Sequence, residues 1–212
     1  MNTDNIKINT QSSIKLTLNK IIYFDPYKIK YDQHDADIIF ITHNHYDHMC
    51  LESINKIKNE NTIIIAPKSI KKEITQTLPT NRKIYLKPNE EINVEGISVK
   101  TILAYNIEKP FHPRKNDWLG YIIKDNNISY YIAGDTDKTH EAENVKCDIA
   151  LIPIGGYYTM DVEQATELIK KINPKIAIPT HYGSIIGDIT FGKKLKDNLS
   201  NTKIEVIEKI QY

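Results

Sequence analysis

Short runs of β-branched and other apolar residues recur along the chain, and stretches with helical spacing lie between them. Short apolar runs of this kind are typical of β-strands. We predict twelve strands, at residues 13–18, 20–24, 38–41, 62–66, 83–86, 91–94, 97–104, 120–124, 128–133, 149–152, 175–178 and 203–207. No linker rich in proline, glycine or serine divides the chain, so we predict a single domain over residues 1–212.

We predict four helices, at residues 51–58, 68–76, 162–172 and 189–198. The clearest helix is 162–172, whose apolar face consists of Val162, Ala165, Leu168, Ile169 and Ile172. Asp161 stands where it can cap the first turn, and Pro174 ends the run. Many strands and few helices predict two sheets with the helices outside them.

The composition narrows the classes of partner. Lysine and arginine total 28 against 27 aspartates and glutamates, so the chain has no general attraction for nucleic acid or for an anionic membrane. Its two cysteines, Cys50 and Cys147, lie far apart and predict no disulfide framework. The first residues are polar, and no run approaches the roughly 20 apolar residues that span a bilayer. We therefore expect a cytoplasmic protein.

Three histidines and an aspartate follow the apolar run 38–41 directly: His43, His45, Asp47 and His48. On an extended segment His43 and His45 would share a face, and a turn could bring Asp47 and His48 to a neighbouring point. The alternative is a solvated histidine-rich turn. Four converging polar groups would, however, be poorly paired without a metal, and imidazole and carboxylate suit zinc, manganese or ferrous iron. The motif therefore predicts a metal site.

Further motifs recur in a set order along nearly the whole chain: FDP at 24–26, HNHYDH at 43–48, GDTD at 134–137, PIGG at 153–156 and PTHYG at 179–183. With these motifs the chain resembles the metallo-β-lactamase-fold hydrolases, and among them the compact metal-dependent hydrolases of the lactonase-like branch. The resemblance implies an α+β fold, a four-layered αβ/βα sandwich. It also implies two divalent metal ions, with zinc expected first and manganese or iron as alternatives.

The resemblance assigns the ligands of these two ions. One ion would be held by His43, His45 and His112, and the other by Asp47, His48 and His181, with Asp135 bridging them. Asp135 and His181 each follow a predicted strand, as His43 does, although a turn-forming aspartate and a surface histidine are the alternatives.

His112 is the ligand at which the chain departs from the family pattern. In relatives the third ligand follows its strand closely, whereas here Tyr105 and Asn106 follow the predicted strand 97–104. His112 is the nearest candidate, and Asn106 or a water is the alternative. Asp25 is either an orienting partner of a ligand histidine or a simple Asp-Pro turn.

The resemblance also implies a reaction. A hydroxide bridging the two metals would attack a small ester, lactone or phosphodiester, with Asp47 or a water giving a proton to the leaving group. A nuclease acting on RNA or DNA and a metal-binding regulatory protein without turnover are the alternatives. The near-neutral charge counts against the nuclease.

The pocket is expected to involve residues 105–118, 155–160 and 182–186. Lys109, Arg114 and Lys115 would suit an anionic small-molecule substrate, or they are solvated loop charges. Possible ring-stacking residues, which could equally pack beneath the loops, are Tyr157, Tyr158 and Trp118. His34, His140 and Cys50 are expected to stay outside the metal site. We expect no nucleic-acid or membrane partner, and a homo-oligomer remains open.

Overall fold

A computed structural model describes residues 2–80 and 82–210 of the chain. These residues divide into two compact units, one formed by the chain up to residue 87 together with residue 210, and the other by residues 88–209. Each unit is built on one β-sheet. The expectation of a single domain remains a prediction.

The first unit contains a six-stranded sheet whose strands follow one another in chain order. The strands are β1 Ile6–Ile8, β2 Ile14–Thr17, β3 Ile21–Phe24, β4 Ala36–Phe40, β5 Lys58–Pro67 and β6 Lys83–Leu86. β1, β2 and β3 pair antiparallel, whereas β3 to β6 pair parallel. Helix α1 (Leu51–Ile57) connects β4 to β5, and a 3-10 turn followed by helix α2 (Lys71–Thr77) connects β5 to β6.

The second unit contains a seven-stranded sheet in the order β13-β12-β11-β10-β9-β8-β7. The strands are β7 Glu91–Val94, β8 Ile97–Leu103, β9 Leu119–Asp125, β10 Ile128–Ile132, β11 Ile149–Pro153, β12 Ile176–Thr180 and β13 Glu205–Val206. β7 to β10 pair antiparallel, and β10 to β13 pair parallel. Its helices are α3 His140–Glu143, α4 Val162–Ile172 and α5 Phe191–Leu199.

The parallel strands at the centre of each sheet are buried along most of their length. All five residues of β11 are buried, as are Ile38, Ile39 and Phe40 in β4. Strands buried on both faces are nearly continuous apolar runs, which is why these segments were recognisable in the sequence. The ring of Phe40 stacks on that of Phe24 in β3, with centroids 4.8 Å apart. The aligned ends of β3 and β4 are thereby fixed against each other.

All twelve predicted strands are present, with bounds that differ by up to four residues. The largest difference is in β5, which begins at Lys58 and not at residue 62. Its first residues are polar, so the apolar run indicated only the later part of the strand. The three-residue strand β1 and the four-residue helix α3 were not predicted, since neither is long enough to show a period. The predicted helix 68–76 is a 3-10 turn, Lys68–Ile70, followed by α2.

Within residues 2–80 and 82–210, no helix has the length and apolar character needed to cross a bilayer.

Helix α4 begins as the sequence predicts. The Asp161 side chain accepts a hydrogen bond from the backbone N–H of Gln164, and the Gln164 side chain reaches back to the backbone N–H of Asp161. We expect Asp161→Ala to lower the free energy of unfolding by about 1 kcal/mol, because the backbone N–H of Gln164 in the first turn loses its acceptor. Urea denaturation measures this change. Asp161→Asn, which keeps a capping oxygen, is the control, and an equal loss in both variants would contradict the capping role.

Candidate metal centre

In the first unit, a group of buried polar residues follows the ends of β3 and β4. The two strands run parallel with Phe24 opposite Phe40, so the residues that follow them lie side by side. Asp25 follows β3 with φ of 43°, in the left-handed region that bulky residues rarely adopt. Its backbone N–H donates to the carbonyl oxygen of Phe40. This turn directs the Asp25 side chain to the residues that follow β4.

Asp25 is fully buried and is bonded to Thr42 and His48. Its Oδ1 accepts from the backbone N–H of Thr42 at 2.8 Å, and its Oδ2 accepts from the Thr42 hydroxyl at 2.6 Å and from His48 Nδ1 at 2.7 Å. Burial raises the pKa of the Asp25 carboxyl, while the contact with His48 and the hydrogen bonds from Thr42 act to lower it. Asp25 therefore orients a histidine, as one of the two sequence hypotheses held.

The same network fixes the ring nitrogens of His43 and His48. A carboxylate only accepts, so His48 carries its proton on Nδ1 and has its lone pair on Nε2. The Thr42 hydroxyl gives its hydrogen to Asp25, and its oxygen therefore accepts from His43 Nδ1 at 2.9 Å. The Nε2 lone pair of His43 is thus also available to a metal.

These lone pairs point towards two neighbouring groups of ligand atoms. His43 Nε2 lies 3.0 Å from His45 Nδ1, and His48 Nε2 lies 3.6 Å from Asp47 Oδ2. The backbone turn predicted after the strand is present, because the N–H groups of His48 and Met49 both donate to the carbonyl oxygen of His45. The first unit therefore brings together two pairs of candidate ligands.

The second unit brings together three further candidate ligands, two of which follow strands. Asp135 follows β10 after Gly134, whose φ is 65°, and His181 follows β12 with φ of 56°. The Nε2 atoms of His112 and His181 lie 3.3 and 3.2 Å from Asp135 Oδ2, and all three residues are buried. Two imidazoles around one buried carboxylate oxygen form a donor set that suits a divalent metal.

Asn106, the alternative ligand, instead holds His112 in place. Its Oδ1 accepts from the backbone N–H of His112 at 3.1 Å and from His112 Nδ1 at 2.9 Å. Its Nδ2 donates to the carbonyl oxygen of Tyr158 at 2.9 Å. Since an amide oxygen only accepts, the His112 proton is on Nδ1 and its lone pair is on Nε2. The sequence carried no signal for this role, because only the folded loop brings the two residues together.

Gly155 leaves room for the backbone of His181. A Cβ atom at this position would collide with the carbonyl oxygen of His181 and would lie 2.7 Å from Ile186 Cγ2. The backbone of the PIGG motif therefore passes close to this ligand only because residue 155 is glycine.

Several other residues named from the sequence lie outside these groups. His34 and His140 are exposed, and Cys50 is half-buried before α1. Trp118 is buried and packs edge-on against the His112 ring, so it supports a ligand instead of lining the surface. Each of these positions agrees with one of the sequence alternatives.

Of the three basic residues near His112 in the sequence, Lys109 and Arg114 form ion pairs. Lys109 Nζ lies 2.6 Å from both Asp137 Oδ1 and the carbonyl oxygen of Thr159. Arg114 Nη2 lies 2.7 Å from Glu141 Oε1. These contacts weigh against a substrate anion as their main partner.

The similarity of the chain to known proteins is consistent with this chemistry. A family model described as a β-lactamase superfamily domain matches residues 7–181. The chain belongs to the metallo-β-lactamase superfamily. The superfamily, the fold class and the class of metal-dependent hydrolase that were predicted from the sequence are thereby confirmed.

Individual members of the metallo-β-lactamase superfamily resemble this chain along most of its length. A UPF0173 metal-dependent hydrolase of Thermoplasma acidophilum is 33% identical over 198 residues, which cover 85% of each chain. A solved structure from Parabacteroides distasonis, described as a metal-dependent hydrolase, is 31% identical with a TM-score of 0.83 and covers 97% of this chain and 93% of that one. The metallo hydrolase Igni18 of Ignicoccus hospitalis, at 24% identity and a TM-score of 0.77 with 96% and 94% covered, supports the fold alone.

We expect Asn106→Ala to weaken metal binding about 10- to 100-fold, because His112 would lose the acceptor that fixes its ring. Competition with a chromogenic chelator measures the affinity. Asn144→Ala is the control, since Asn144 also contacts a histidine, but its Nδ2 faces the ring and the carbonyl oxygen of His140, which is exposed and is not a candidate ligand. Equal metal affinity in the Asn106 variant and the wild type would show that Asn106 does not position a ligand.

Proposed function

We propose that the two groups of residues hold a pair of divalent metal ions and hydrolyse a small ester or lactone. His43, His45 and His112 would hold one ion, and Asp47, His48 and His181 the other, with Asp135 shared between them. This assignment follows the family resemblance. We propose zinc as the resident metal, with manganese or iron as alternatives that accept the same ligands.

The observation that carries the proposal is the control of the histidine tautomers. Three of the proposed ligands, His43, His48 and His112, have an oxygen acceptor at Nδ1 and therefore an Nε2 lone pair. Metal-binding histidines are commonly held in this way by a carboxylate or carbonyl oxygen. A set of buried structural histidines would not need the same tautomer in each ring.

The chemistry of such a site is hydrolytic. When bound, two divalent ions lower the pKa of a shared water towards about 7 and polarise the oxygen of the scissile group. Asp47 is buried beside His48, and we propose that its carboxylate takes up the proton released by the attacking water and passes it to the leaving group. The ion pairs of Lys109 and Arg114 favour an uncharged ester or lactone over a phosphodiester.

Turnover tests this assignment directly. We expect metal-stripped protein to be inactive and to recover on adding zinc or manganese, with lactones or esters hydrolysed faster than phosphodiesters. Asp135→Ala should lose both metal and at least about 100-fold in rate, because the shared ligand is gone, and the His140→Ala control should behave as wild type. Turnover that survives chelation, or metal-loaded protein that hydrolyses none of the three classes, would contradict the proposal.

The role of Asp47 has its own test. We expect Asp47→Asn to lower kcat about 100-fold or more for methyl esters, because the amide cannot deliver a proton. The loss should be much smaller for 4-nitrophenyl esters, whose leaving group departs without one. Metal content, measured on the same samples, separates this effect from ligand loss. Equal losses for both leaving groups at full metal content would rule out Asp47 as the proton donor.

A further inference from the structure

Three aromatic side chains of the second unit form a cluster on two loops. The Phe111 ring lies 5.1 Å from the Tyr157 ring and 4.6 Å from the Tyr158 ring, and the two tyrosine rings are 4.9 Å apart. Tyr157 is 65% exposed, while Phe111 and Tyr158 are half-buried. We call these three residues the aromatic cluster. Through the exposed Tyr157 ring, the cluster presents an aromatic surface that another apolar group can cover.

The cluster is tied to a proposed metal ligand. Phe111 directly precedes His112, and the carbonyl oxygen of Tyr158 accepts from Asn106, which also holds the His112 ring. A second bond between the two loops runs from Lys109 Nζ to the carbonyl oxygen of Thr159. The rings therefore keep a fixed position relative to His112.

The backbone at Tyr157 supports a functional role. Tyr157 has φ of 38°, in the region that a bulky residue rarely adopts. Such a conformation costs free energy and is often found at ligand-binding sites. Here it places a large ring at the surface, where burial does not offset that cost.

The charges around the cluster favour an uncharged occupant. The ammonium group of Lys109 is paired with Asp137, and the guanidinium group of Arg114 is paired with Glu141 and lies over the Tyr105 ring. Aromatic rings attract other rings in edge-to-face and offset arrangements, and the cluster already contains both edge-to-face and tilted pairs.

We propose that the aromatic cluster binds an aromatic ring that the substrate carries next to its scissile bond. This inference rests on the proposed function and makes it more specific, because it names arylacetyl-type esters or aryl-substituted lactones as the substrate class. Phe111, Tyr157 and Tyr158 act as specificity-determining residues.

Product binding tests the cluster without requiring turnover. Titration calorimetry on the zinc-loaded protein compares phenylacetate with acetate, which share one carboxylate and differ by the ring. We expect wild type to bind phenylacetate about tenfold or more tightly than acetate, and Tyr157→Ala and Phe111→Ala to reduce that ratio to about twofold or less. Tyr157→Phe, which keeps a ring, and Tyr31→Ala, at an exposed tyrosine of the first unit, should keep the wild-type ratio.

Several results would overturn the proposal. An unchanged ratio in both alanine variants would show that the rings do not contact the ligand. Equal affinity for cyclohexylacetate and phenylacetate would show an apolar surface without preference for aromatic groups. Absence of metal-dependent turnover in the wild type would instead overturn the proposed function, and the binding ratios would still decide whether the cluster holds a ring.

Discussion

The buried carboxylate of Asp25 is the group on which the candidate metal ligands of the first unit depend. A fully buried carboxylate is costly unless it is hydrogen-bonded, and Asp25 receives three hydrogen bonds, two from Thr42 and one from His48. Because the Thr42 hydroxyl donates its hydrogen to Asp25, its oxygen accepts a hydrogen bond from His43 Nδ1. One carboxylate thus determines which nitrogen of two ligand histidines carries the proton. Asn106 has the same effect on His112 in the second unit.

Strand topology explains why the ligands gather as they do. β3 and β4 are parallel neighbours, as are β10, β11 and β12, so the residues that follow them emerge at one edge of each sheet. The left-handed turns at Asp25, Gly134 and His181 then bend the chain immediately after the strand. Glycine adopts this conformation freely, and at Asp25 and His181 its cost is tolerated because the flanking strands are deeply buried and hold the turns in place.

Most strands and helices, and part of the candidate metal site, could be predicted from local patterns in the sequence. The buried strands and the capped helix α4 were predictable because each has its own period and end signals, whereas β1 and α3 are too short to have one. The His43 to His48 motif was also recognisable, and the pairing of Asp25 with a histidine was one of two alternatives. Asn106 was not, since its contact with His112 depends on how a loop closes between β8 and β9. Nor could the sequence reveal that Lys109 and Arg114 are occupied by Asp137 and Glu141, because those partners lie 27 or 28 residues away.

The proposed function requires that His43, His45, Asp47 and His48 share a dinuclear metal centre with His112, Asp135 and His181. Anomalous diffraction from crystals of the zinc-loaded protein tests it most directly. We predict two peaks per chain, one in contact with His43 and His45 and the other with Asp47 and His48, and both within bonding distance of Asp135. A single peak, or peaks that contact only one of the two groups of residues, would contradict the account.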